Sequence, residues 1–289
     1  MKTTLSALPL LLVASPLLAH IPDGVDTRTM LSLEGPSGGE GIFNQPIAEV
    51  SLASEGIASL ADRNLRTRFW TIEPGGFVPI HDHTNRPAQL VVLTGEVIEY
   101  SSAAEDPIQH DTGGLSIEEG ELAHWWLNDG DETVHMIAFD VYQVNEPPAA
   151  TDGPPGQDGM VLPQAEGAEL ELLGAVDIDA HFSDGTGEGL VLSSYRATLQ
   201  PGGVLPDFTV SGEPLQVFVW EGKVTEHHSD DGAKTLTTRT GGAISGTSTA
   251  WWENSDETPA ILYFTTVEPV AEVEGVPRTG TLAHGSHGE

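Results

Sequence analysis

Apolar residues along this chain fall in short runs and not in stripes of helical period. "LRTRFWTI" (65–72) alternates apolar and polar positions and halts at Pro74-Gly75-Gly76. "AQLVVLTGEVIEY" (88–100) is two apolar runs joined at Thr94-Gly95, and "VHMIAFDV" (134–141) is a later stretch of the same kind. Each predicts a strand, and no segment carries an amphipathic helical pattern of any length. Short strands at this spacing predict an all-β sandwich or barrel.

The pattern occurs twice. Residues 73–100, "EPGGFVPIHDHTNRPAQLVVLTGEVIEY", align without gaps to 200–227, "QPGGVLPDFTVSGEPLQVFVWEGKVTEH", with ten of 28 columns identical. Further on, "HWWLNDGDETVHMIAF" (124–139) meets "AWWENSDETPAILYF" (250–264) with small gaps. Two copies of one β-domain are therefore expected, at 20–144 and 166–275. The Pro/Gly/Asp-rich stretch between them makes 145–165 a linker, and 276–289 reads as a loose tail. Residues 1–19, with Lys2 ahead of an apolar run and a small residue at Ala19, read as a secretory leader. A periplasmic or secreted location is the expectation.

Composition narrows the chemistry. Thirty-three glycines and 20 prolines suit a turn-rich β protein, and the absence of cysteine excludes both disulfides and thiolate metal sites. Any metal must be held by His, carboxylate or amide groups. The formal charge is −33, from 44 acidic against 11 basic residues. That argues against nucleic acid and anionic membranes as partners, since both need a basic footprint. The acids are scattered, which describes a solvated acidic surface suited to high salt. The partner expected is a small-molecule substrate or ligand, with homo-oligomerisation left open.

Candidate chemistry centres on His81 and His83. In an extended segment side chains two apart point the same way, so these two imidazoles share a face. His124, on a later strand after a glycine turn in "GELAHWWLN", is the best third ligand. Neutral imidazoles suit one divalent transition metal: Fe, Mn, Ni, Cu or Zn. Trp126 shares the parity of His124, whereas Trp125 faces away. Arg86, three positions after His83, is placed to hold a substrate carboxylate or enolate, against a reading as a surface ion pair. Glu99 and Tyr100 are candidates to reach the same cavity. His110 reads as solvated, and His135, in an apolar strand, as a core residue.

These residues resemble the cupin superfamily, small jelly-roll barrels, here duplicated into a bicupin. Gly75, His81, His83 and Gly95 fall on the first cupin motif. Gly120, His124 and Asn128 fit the second, with one extra residue before the histidine and Glu118 where proline is usual. The resemblance implies two tandem jelly-roll barrels and is similar to that of quercetinase-like dioxygenases. One departure matters: Ala88 stands where cupins carry a glutamate ligand, and no other carboxylate lies between His83 and Gly95. The site then resembles three-histidine cupins such as thiol dioxygenases. Gln89 is adjacent and could coordinate through its amide oxygen, but Gln216 persists in the copy without the histidines, which favours a structural role. There His81, His83 and His124 become Phe208, Val210 and Ala250, so one metal per chain is expected. The activity implied is oxygen-dependent chemistry on a chelating, flavonol- or diketone-like substrate. A redox-neutral isomerase or lyase and a non-catalytic binding protein are the alternatives.

Overall fold

The computed structural model describes residues 21–145, 160–182, 186–209, 213–229, 232–246 and 248–270. Residues 1–19, read above as a leader, residues 276–289, read as a tail, and most of 145–165 lie outside the described residues. The strands are β1 (Thr27–Met30), β2 (Leu33–Pro36), β3 (Glu40–Ser51), β4 (Arg63–Asp82), β5 (Ala88–Thr94), β6 (Val97–Ser101), β7 (Ile108–His110), β8 (Leu115–Glu118), β9 (Ala123–Leu127) and β10 (Val134–Gln143). The second copy supplies β11 (Glu166–Asp177), β12 (Leu190–Pro206), β13 (Leu215–Glu221), β14 (Lys223–His228), β15 (Gly232–Thr237), β16 (Thr240–Ile244), β17 (Ala250–Glu253) and β18 (Ala260–Pro269). The only helical pieces among the described residues are two 3-10 turns, Ala58–Leu60 and Asp179–His181.

The duplication is exact at the level of topology. The first barrel-shaped sheet runs β7-β6-β9-β4-β10-β5-β8 with β3 on β4, and the second runs β15-β14-β17-β12-β18-β13-β16 with β11 on β12. Each barrel has its own core. Ile72, Val78, Leu90, Val92, Trp126 and Met136 fill the first. The second holds Leu199, Leu205, Val217, Trp252, Leu262 and Phe264. The second cupin motif's asparagine serves the fold in both copies. Asn128 donates its amide to the carbonyls of Ile72 and Glu132, and Asn254 donates to those of Leu199 and Thr258.

The two barrels pack on each other through further apolar layers. One mixes Phe69, Ile137 and Phe139 with Phe218, Trp220 and Tyr263, and another mixes Leu52, Leu65 and Val141 with Val176, Leu192 and Val267. The approach is close at Gly174. A Cβ on Gly174 of β11 would lie 2.8 Å from the Leu115 side chain of β8, so the second barrel presses directly on the outermost strand of the first.

Buried amides cross this interface in symmetric fashion. Gln89 donates to the Leu192 carbonyl (2.9 Å) and accepts from the Ser194 hydroxyl, while Gln216 donates to the Leu65 carbonyl (2.9 Å) and accepts from the Thr67 hydroxyl (2.6 Å). That reciprocity explains why glutamine survives in the copy without histidines.

Candidate metal centre

The long strand β4 bends where Gly75, at φ +74°, turns the chain. Its first half pairs with β3 and β10, and its second half with β9. This change of partner sets His81 directly opposite His124 across the β4–β9 ladder, after a bulge between Val78 and His81. His83 lies just beyond, its N–H held by the Leu122 carbonyl (2.8 Å) and its own carbonyl by the Arg86 N–H (3.0 Å). The rings meet with centroids 4.5 Å (81–124), 4.9 Å (83–124) and 5.1 Å (81–83) apart.

What decides the chemistry is the other nitrogen of each ring. His81 Nδ1 lies 2.9 Å from the Pro79 carbonyl, and His83 Nδ1 lies 3.0 Å from the Arg86 carbonyl. His124 Nδ1 lies 2.7 Å from Glu99 Oε1. All three neighbours can only accept here, so each Nδ1 carries the proton when its ring is neutral and each Nε2 keeps its lone pair. Those lone pairs converge. His124 Nε2 and His81 Nε2 are 3.1 Å apart. Nitrogens that share an ion at about 2.0–2.1 Å each lie about 3 Å apart.

The electrostatics favour neutral rings at His81 and His83, whereas Glu118 and Glu99 raise His124 against the effect of burial. Burial, then the neighbouring His124, pushes His81 down to about 3. Burial and the Arg86 guanidinium likewise hold His83 well below the usual histidine range. Both rings are therefore neutral, the form that binds metal. Burial works to raise Glu99, but hydrogen bonds from His110 and His124 win and bring it down to about 2. Glu99 is thus a buried carboxylate that orients the metal-facing His124, the carboxylate–histidine arrangement of many metal sites. A group of His81, His83 and His124 with their ligand atoms within 4.8 Å of one another can hold a metal ion.

No family model and no curated protein sequence matches the chain. Among solved structures, vicilin from Corylus avellana superposes with a TM-score of 0.53 at 11% identity, over 81% of this chain and 82% of that one. Vicilin from Solanum melongena gives 0.50 at 10% identity, over 71% and 74%. Salicylate 1,2-dioxygenase from Pseudaminobacter salicylatoxidans gives 0.46 at 14% identity, over 70% of each chain. With two barrel-shaped sheets of one strand order and this vicilin likeness, the architecture is settled. The chain has the bicupin fold. At such identities the likeness concerns the fold alone.

In this bicupin the other candidate residues divide. Arg86 does reach the histidines, with Nη2 3.1 Å from His83 Nε2. It also faces the buried Asp140, at 3.7 Å, which Arg66 grips with two hydrogen bonds (2.9 and 2.6 Å) and Arg68 with a third (3.1 Å). Arg86 thus stands between His83 and the buried Asp140.

Tyr100 is not brought to the histidines. It alternates with Glu99 along β6, so it points to the opposite side, stacked on Trp125 at 4.1 Å beneath the β1–β2 hairpin. Trp126 does share the face of His124, at 5.4 Å.

His110 departs from the solvated reading: its Nε2 bonds Glu99 Oε2 at 2.9 Å, and its ring packs 5.0 Å from Trp126. His135 lies at the barrel interface, against Phe69 and the Arg239 guanidinium of the second copy.

One buried carboxylate escaped the sequence reading. Glu118, 4% exposed, places Oε2 3.2 Å from His83 Nε2 and Oε1 3.8 Å from His124 Nε2. Burial pushes its carboxyl up from the ordinary range. The available signal was its place in the second motif, where proline is usual.

In the second barrel Phe208 and Ala250 join the apolar core, as their replacement of histidines requires; Val210 lies outside the described residues. Glu226, the counterpart of Glu99, has turned to other partners there. It accepts from Trp252 Nε1 (2.9 Å) and pairs with His228 (2.5 Å) and Lys234 (2.7 Å).

Proposed function

We propose that this bicupin is an exported, metal-dependent dioxygenase acting on a small chelating substrate of flavonol or diketone type. One divalent transition metal per chain (Fe, Mn, Ni, Cu or Zn) is held by His81, His83 and His124. The observation that carries the reading is the convergence of three Nε2 lone pairs, each fixed by an acceptor on its Nδ1. The three neutral imidazoles would hold the metal, which would supply Lewis acidity to a chelating substrate and, as a redox-active ion, the means to engage dioxygen.

The chain's own residues do the rest. Glu99 accepts a hydrogen bond from His124 Nδ1–H and so fixes the direction of the ring's other lone pair. Arg86, beside His83, holds the negative oxygen of a bound enolate or carboxylate. Trp126 and Val78 exclude water from the inner side.

A second reading, a protein that binds a metal or small ligand without turnover, draws on enclosure: His83 and His124 are 1% and 0% exposed. A redox-neutral isomerase or lyase would use the same metal as a Lewis acid. Elemental mass spectrometry of the mature protein beside His81→Ala, followed by oxygen-uptake assays with flavonols and diketones, separates them. About one metal per chain, lost in the variant, with oxygen consumed, is the expected result. Metal without oxygen consumption moves the assignment to the alternatives. No metal after reconstitution overturns the site.

A further inference from the structure

The cupin glutamate is missing from β5, where Ala88 stands, yet a carboxylate still arrives at the histidines. Ala88 and Glu118 are direct partners in the β5–β8 ladder. Cross-strand partners place their Cβ atoms about 4.5–5.5 Å apart on the same face of the sheet. A side chain from either position therefore enters the same space, and here the long acidic one comes from β8.

Its contacts are ones that a bound cation would complete. Glu118 Oε2 stands 3.2 Å from His83 Nε2, which is a lone pair because His83 Nδ1–H is engaged by the Arg86 carbonyl. Glu118 Oε1 is buried with no hydrogen-bond partner among the described residues, and the atom it approaches is His124 Nε2, at 3.8 Å. A buried carboxylate oxygen left unpaired is costly. Arg86 donates toward His83 Nε2 but no hydrogen bond from it reaches Glu118. A carboxylate and three imidazole Nε2 atoms gathered in a dry site are a donor set that suits a metal ion.

The second barrel supplies an independent comparison. The residue in the register position of Ala88 is Leu215, and its ladder partner is Ile244. Ile244 thus stands where the first barrel has Glu118, in one apolar core with Phe208 and Ala250. The copy that lost its histidines also lacks this carboxylate. The second barrel further holds β8 in place. Gly174 packs on Leu115, and His181 Nδ1 accepts the Gly120 N–H at 2.9 Å, two residues past Glu118.

The geometry points to Glu118 as the fourth ligand of the metal site, a carboxylate delivered from β8 in place of the one absent at Ala88. This rests on the metal reading above. The test uses the metal alone. Co²⁺ is titrated into metal-free wild type, Glu118→Gln, Glu118→Ala, His124→Ala and the exchange variant Ala88→Glu/Glu118→Ala, with visible absorption and a competing chelator as readouts. Melting temperatures accompany each.

Expected is a loss of at least about 10–100-fold in Co²⁺ affinity with an altered spectrum in both Glu118 variants, and recovery of most of it in the exchange variant. Should Glu118→Ala not fold, the size-matched Glu118→Gln and the exchange variant decide the matter alone. Wild-type affinity and spectrum in Glu118→Gln, with no uptake in His124→Ala, would overturn the role of Glu118 and leave the histidine site standing. Failure of wild type to bind Co²⁺ would overturn both.

Discussion

Glu99 Oε1 lies 2.7 Å from His124 Nδ1, and both groups are buried. The contact makes His124 a ring of one tautomer and one direction when a metal is bound. Glu99→Gln keeps the size but weakens the acceptor and removes the charge. Metal affinity is expected to fall about 10–100-fold, with little change in the far-ultraviolet spectrum. A competition titration against a chelator measures this, and an unchanged affinity would dismiss Glu99 as an orienting group.

The metal-free protein is expected to weaken in acid. His81 is neutral in the fold down to about pH 3 but takes up a proton in the unfolded chain near 6.5. The unfolded state therefore binds more protons between these values, and stability falls as pH drops through that window. His83 acts in the same direction. Glu99 adds stability above its ordinary range, which is lost as pH falls towards about 2. His124, raised by Glu118 and Glu99 against the effect of burial, contributes oppositely: its share is full below 6.5 and is lost as pH rises. Urea midpoints of chelator-treated protein from pH 7 to 4 should decline less steeply in His81→Phe, the residue that the second copy uses. Equal slopes would refute the assignment.

Gln89 and Gln216 should behave as a structural pair. Gln89→Leu leaves the Leu192 carbonyl and Ser194 hydroxyl without their amide partner, at a cost of about 1–3 kcal/mol. Gln216→Leu does the same to Leu65 and Thr67 and should cost a similar amount. Neither should change Co²⁺ affinity by more than a few-fold. A large loss of metal on Gln89→Leu would instead make that amide a ligand.

Asp140 is the shared counter-ion of Arg66, Arg68 and Arg86, and it is fully buried. Burial works to raise its carboxyl, but the charges of Arg68, Arg66 and Arg86 and the Arg66 hydrogen bonds outweigh it and hold the carboxyl below the usual range. Asp140→Asn leaves these cations without their charge partner and should destabilise by about 3–5 kcal/mol. Chemical denaturation gives the number, and a loss under 1 kcal/mol would show that solvent satisfies the arginines.

With a formal charge of −33, self-repulsion opposes the compact state. Screening shortens its range from about 10 Å at 0.1 M salt to about 3 Å at 1 M. The melting temperature should rise across that interval in sodium chloride, and calorimetry at constant pH will show it. A flat or falling curve would mean that favourable ion pairs balance the repulsion.

The sequence by itself determined the strands, the duplication and the three histidines. Those are local or periodic facts: alternation fixes which side chains share a face, glycines mark turns, and a repeat can be aligned to itself. Trp126 beside His124 and Gln89 in a structural role followed from the same logic.

Tertiary structure decided everything that depends on which strands are neighbours. Tyr100 was adjacent to the right residue and on the wrong face, because one step along β6 reverses direction. His110 joined Glu99 through the β6–β7 ladder, a pairing with no mark in its own segment. Glu118 is the clearest case. Its proximity to His83 depends on the register of β5 against β8, and a register between distant strands is set by which of their faces are buried together, not by either segment alone.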